Sequence, residues 1–142
     1  MIEGHRVARF VMDTLTADTG AGGVNTLVSG RIRRDRLGQT MVLPGITVTL
    51  VSDTDLNTMG GRRVAGSALV DVRVVGDGNG DYGALLPIAD RVDTVLQNAL
   101  GLKDGVNVVK LVRTGHQEFV EDDAGKPYTH VIQTYGTPRY AT

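Results

Sequence analysis

A chain of 142 residues, 41% hydrophobic and with a formal net charge of −1, has the size and balance of one globular domain that buries its own core. No run of it approaches the roughly 18–20 apolar residues that span a bilayer, so no membrane partner is expected. The absence of cysteine excludes disulfides, thiolate zinc sites and a cysteine nucleophile.

The first residues, MIEGHRVARF, mix charged and apolar side chains, unlike a signal peptide, which points to assembly in a cytoplasm. From Ile2 to about Ala17, Val7, Phe10, Val11 and Leu15 recur at helical spacing, with Glu3, Arg6, Arg9 and Asp13 mostly on the other side. The pattern predicts an amphipathic helix that the Gly-rich run after Asp18 stops. Residues 19–43 read as one long Gly-rich and basic loop, and loops of that length are usually functional.

Pro44 and Gly45 open a strand in which Ile46, Val48 and Leu50 alternate with Thr47 and Thr49. A second strand runs from about Val64 to Val75. The 12 residues from Ser52 to Arg63 exceed a common hairpin loop and suggest a projecting arm. After a turn at residues 76–81, a helix starts near Ala84, with Pro87 in its first turn and Gly101 at its exit. Residues 106–119 and 128–136 read as two further strands joined by an acidic tip at Glu121, Asp122 and Asp123. The order implies an α+β fold: a four-stranded antiparallel sheet of two hairpins, helices on one face, and long projecting loops. The whole chain, residues 1–142, forms a single domain.

Motifs that would carry chemistry are incomplete. Asp77, Asn79 and Asp81 begin like a calcium loop, but Tyr82 stands where Gly is required and Ile88 where Glu is required. A strand-to-helix turn explains the same residues. Residues 20–23 follow a helix instead of a strand and lack a phosphate-loop Lys. His5, His116 and His130 have no metal-helix spacing, and Ser29, Ser52 and Ser67 sit in no nucleophile elbow. No catalytic set, cofactor site or metal site is expected, and an enzyme is not the preferred reading.

The clearest local signal is the basic stretch Arg31, Arg33, Arg34 and Arg36, with the pair Arg62 and Arg63. A solvated loop accounts for it. Its rival is contact with the acidic 121–123 tip of a neighbouring subunit, or with a phosphate backbone passing nearby. No interleaved aromatics support base stacking, so reading of DNA sequence is not expected.

The order of elements, with the segments LPGITVTLVSD, ALVDVRVVGD, DYGALLPIADRVDTVLQNAL, VNVVKLVRTGHQEFVEDD and YTHVIQTYGTPRY, resembles the tail terminator (tail-completion) proteins of long-tailed bacteriophages with non-contractile tails. The resemblance implies a structural virion protein at the tail–neck junction. Such a protein forms a ring, commonly a hexamer, that caps the tail tube, ends its polymerisation and meets a head-completion or neck protein. DNA passes through the channel without specific contacts. Two other readings stand beside it: a head–tail connector or neck protein, and a small oligomeric ligand-binding module.

Overall fold

The computed structural model describes residues 3–37, 42–57, 63–78, 82–97, 99, 101–103, 106–108 and 111–141. Helix α1 (Glu3–Ala17) buries Val7, Val11 and Leu15 completely, the face its spacing predicts. A short helix α2 (Val24–Leu27) and strand β1 (Ile32–Arg34) follow. Strands β2 (Gly45–Asn57) and β3 (Arg63–Asp77) form the first long hairpin. Helix α3 (Leu86–Gln97) and short strands β4 (Gly101–Lys103) and β5 (Val106–Val108) lead to the second, β6 (Val112–Asp123) with β7 (Lys126–Ala141).

Among the described residues, seven strands make one sheet in the order β1-β2-β3-β7-β5-β4, with β6 beside β7 on the same margin as β5. Its centre is the β3–β7 seam, antiparallel from Ala65 opposite Tyr140 to Asp77 opposite Tyr128. Strand alternation sorts the two faces. Ile46 and Val48, then Val70, Val72 and Val74, then Val131 and Tyr135 point to α1 and α3 and share one core with them. Each of those valines is at most 1% exposed, and burial of such a side chain is worth about 1.5–3 kcal/mol.

The α+β class and the two hairpins with helices on one face agree with the sequence reading, but the sheet is mixed and larger than four antiparallel strands. The cause is the segment expected to be one long loop. Its apolar residues Val24, Val28 and Ile32 are buried, which makes α2 a packed turn. Ile32 also draws β1 parallel to β2, opposite Ile46. The projecting loop is shorter than expected as well, because ladder hydrogen bonds continue to Asn57 opposite Arg63. The strand expected over 106–119 is two strands, interrupted near Leu111, which turns into the core fully buried. Glu121, Asp122 and Asp123 belong to β6, and the turn itself is Ala124 and Gly125, both at positive φ. Helix α3 begins two residues after the expected start, behind turns at residues 82–85. Gly101 opens β4 and does not end the helix.

Candidate assembly surfaces

The basic stretch is largely spent on its own surroundings. Arg31 Nε donates to the Pro44 carbonyl at 2.8 Å, and Arg33 donates to the carbonyls of Ile32 at 3.0 Å and Gly30 at 3.4 Å. Arg34 donates to His5 Nδ1 at 3.2 Å, tying β1 to α1. A guanidinium has five donors in a rigid fork, so one side chain can hold two flanking carbonyls, as Arg33 does. Of the four, Arg36 lines a cleft with the acidic residues. Arg63 opens β3, and Arg62 lies outside the described residues.

Arg36 lines a cleft of about 610 Å³ on the helix-free face of the sheet, together with Leu37, Thr47, Arg73, Glu121, Asp122, Asp123 and His130. The sequence signal for this site is the alternation of His130 with Tyr128 and Ile132, which puts it on a strand face. Within one chain, then, the fold brings Arg36 and the three carboxylates to the same opening.

His130 is 6% exposed. Its ring stacks on Phe119 with centroids 4.9 Å apart, and the Arg73 guanidinium lies 5.9 Å from the Phe119 centroid. Nε2 stands 3.3 Å from Glu121 Oε2, and buried Nδ1 meets no hydrogen-bond partner among the described residues. Burial lowers the imidazole pKa, the Arg73 charge lowers it further, and Glu121 opposes both. Neutral at pH 7, the ring places its proton on Nε2, toward Glu121.

Two polar clusters that sequence reasoning does not find brace the helices. Asp18 accepts Arg91 Nε at 2.9 Å and a second guanidinium nitrogen at 2.8 Å, and also caps the Val24 N–H at 2.8 Å. One carboxylate thus pins the Gly-rich turn to α3, and the Arg91 hydrogen bonds hold its pKa below the usual range. In the sequence Asp18 reads only as a helix stop and Arg91 only as a solvent-facing residue; nothing in their 73-residue separation signals a pair. Below α3, the fully buried Tyr135 places its hydroxyl 3.0 Å from Asp93 Oδ1 and 3.0 Å from the Gln133 amide oxygen. One hydroxyl proton serves one acceptor. The carboxylate takes it, and the Gln133 amide is best oriented with its NH₂ toward the phenol oxygen.

The margins of the sheet are the other exposed features. Along β6 only Gly115 and Phe119 are partly covered; every other residue is exposed. Among the described residues no strand pairs with its far side. On the opposite margin β1 pairs with Ile46–Val48 of β2. Among the described residues no group of three His, Asp or Glu could hold a metal ion.

No family model matches the chain, and no curated protein matches its sequence. Solved structures do match. A chain in the virion of a native gene transfer agent (GTA) particle aligns with a TM-score of 0.72 at 14% identity, over 96% of this chain and 96% of its own. A second solved structure aligns with a TM-score of 0.50 at 13% identity, over 94% of this chain and 91% of its own. At these identities the likeness establishes a shared fold, and the fold is one found from end to end in a chain of a virion particle.

Proposed function

We propose that this chain is a structural protein of a phage-like virion: a ring, of six copies by the family resemblance, at the tail–neck junction. It caps the tail tube, stops its polymerisation and offers its other face to a head-completion or neck protein, with DNA passing through the channel. Assembly takes place in the host cytoplasm. The observation that carries this reading is the end-to-end match to a chain of a gene transfer agent virion, reached independently of the segments that resemble tail terminators. The physical character of the molecule agrees: a near-neutral chain does not grip phosphates passing through a lumen, and the far side of β6, which no strand pairs among the described residues, suits repeated head-to-tail contact. Arg31, Arg33, Arg34, Arg36, Arg62 and Arg63 against Glu121, Asp122 and Asp123 remain the charge-complementary candidates for subunit or lumen contacts.

The test is the solution mass of the purified protein, negative-stain electron microscopy, and the length of tail tubes polymerised with and without it. Rings that cap tubes and fix their length support the terminator. Rings that bind a portal or neck ring and leave tube length unchanged support the connector reading. Monomers that leave tube length unchanged overturn both. The cleft beside His130 favours one second reading, a ligand-binding module, because it combines a concave wall with a buried titratable group.

A further inference from the structure

The cleft beside His130 has a floor and two walls of different charge. Its floor is the helix-free face of the sheet, where Thr47 stands opposite Arg73 and Val75 stands opposite His130. One wall is the segment after β1, with Arg36 and Leu37. It lies close on the sheet because Gly45 has no side chain: the Leu37 methyls stand 2.9 and 3.0 Å from where a Cβ would be. The other wall is the closed end of the β6–β7 hairpin, with Asp122 and Asp123.

The charged groups of this cleft are largely unspent. Arg73 is half-buried, and its guanidinium lies 5.9 Å from the Phe119 centroid, a contact that uses none of its five N–H donors. Among the described residues it makes no hydrogen bond and no ion pair. Arg36 is exposed and makes none either, so no ion pair joins it to Asp122 or Asp123. Between the walls, His130 is 6% exposed and its Nδ1 has no partner. A half-buried guanidinium without an acceptor is costly, and a carboxylate is the acceptor its fork matches with two parallel bonds.

The charge of the lining decides which anion fits. Four carboxylates, Asp35, Glu121, Asp122 and Asp123, share the cleft with three cations, and one of these, Lys126, already stands 3.6 Å from Asp77. The excess is negative, so a phosphate group of about −1.5 to −2 charge is repelled. A carboxylate is accepted when a cationic group beside it meets the acidic wall. We infer that the cleft binds a carboxylate carried next to a cationic group: the carboxylate on Arg73 with Arg36 over it, the cation against Asp122 and Asp123. A protein segment with adjacent acidic and basic side chains carries that chemistry, and so does a free amino acid. The volume of about 610 Å³ is that of a small-ligand site. The inference rests on the second reading above, gives it a ligand class, and holds whether or not the chain closes a ring.

The test titrates the isotope-labelled full-length chain with four probes: a capped aspartyl-lysine dipeptide, free lysine, acetate and inorganic phosphate. Calorimetry reads affinity, and the imidazole signals of His130, assigned with His130→Phe, report the place. The dipeptide or free lysine is expected to move those signals, with acetate about tenfold weaker and phosphate without effect. Binding of the dipeptide identifies a protein segment as the source; binding of lysine alone identifies a free amino acid. Arg73→Gln is expected to weaken binding about tenfold, and the exposed Arg36→Gln, which puts no folding at risk, about threefold. Asp122→Asn/Asp123→Asn should weaken the dipeptide and admit phosphate. Unchanged affinity in both arginine variants would overturn the inference. Phosphate bound to the wild type as tightly as the dipeptide would overturn it too, while leaving the second reading intact. No movement of the His130 signals by any probe at about 10 mM, tenfold above a millimolar Kd, would refute both, and neither result bears on tube capping.

Discussion

Tyr135→Phe removes one oxygen from the centre of the molecule and should be among the costlier single-atom changes available. The phenol is fully buried and gives its proton to Asp93 at 3.0 Å, a charge-assisted bond of about 1.5–3 kcal/mol net. Its loss leaves the Gln133 amide, 2% exposed, without its phenol partner, for which the desolvation penalty is about 1–3 kcal/mol. Asp93 keeps Gln97 at 2.6 Å and solvent, which offsets part of the loss. The expected destabilisation is about 2–3 kcal/mol. Urea unfolding followed by circular dichroism would read it as a lower midpoint at constant slope, measured at two protein concentrations so that assembly does not contribute. Tyr135→Phe/Gln133→Leu should recover at least about 1 kcal/mol, because both partners are then apolar. A loss under about 0.5 kcal/mol, or a double variant less stable than the single, would refute the network as described.

Gly23→Ala tests the turn that follows α1. A Cβ there would run into the backbone carbonyl of Asp18 and come within 2.8 Å of that of Thr19, so a thermal melt should show a loss toward the upper end of the roughly 1–3 kcal/mol of overpacking. Asp18→Ala should cost about 1 kcal/mol at pH 7, because the Val24 N–H loses its side-chain acceptor. Because Arg91 holds the folded pKa of Asp18 below the unfolded value, near 4, that stability is present above pH 4 and lost as pH falls through the folded pKa. The urea midpoints of wild type and Asp18→Ala should therefore draw together as pH falls below about 4. His130 gives a separate window. Its folded pKa is lowered by burial and by Arg73 against Glu121, so the wild type should lose stability as pH falls from about 6.5. His130→Phe, which keeps the stack on Phe119, should flatten the profile between pH 7.5 and 5; an unchanged profile would place the titration elsewhere.

Periodicity makes the long elements legible in the sequence. Val70, Val72 and Val74 alternate because β3 is the central strand with one face on the helices, and Val7, Val11 and Leu15 repeat because α1 lies on that face. Residues 19–43 mislead because their order comes from single residues. Val24, Val28 and Ile32 each fill a place in a core built by other segments, and no window of 11–18 residues shows a period there. The continuation of β2 to Asn57 is hidden by polar residues, which are at home on a strand margin. The basic and acidic clusters are visible as composition. That Arg31, Arg33 and Arg34 bind nearby carbonyls and a histidine, while Arg36 shares a cleft with the carboxylates, depends on where β1 docks. The Asp18–Arg91 clasp joins residues with no local relation and belongs wholly to tertiary structure.

The β3–β7 seam has a consequence for how the molecule is made. Its paired residues are separated by 51 positions at Asp77–Tyr128 and by 75 at Ala65–Tyr140, whereas each flanking hairpin can close on itself. The least local pairing is thus the one at the middle of the sheet, and its loop-closure entropy must be met before the core contacts repay it. Folding is expected in the slower, millisecond-to-second part of the range for small domains, with two hairpins formed early and waiting to be joined. During that interval the inner margins of β3 and β7 are as exposed as the outer ones, so a crowded host offers them wrong partners. Release from the ribosome and completion of the seam therefore have to precede assembly, and a chaperone that shields hairpins for about a second would raise the yield of competent subunits.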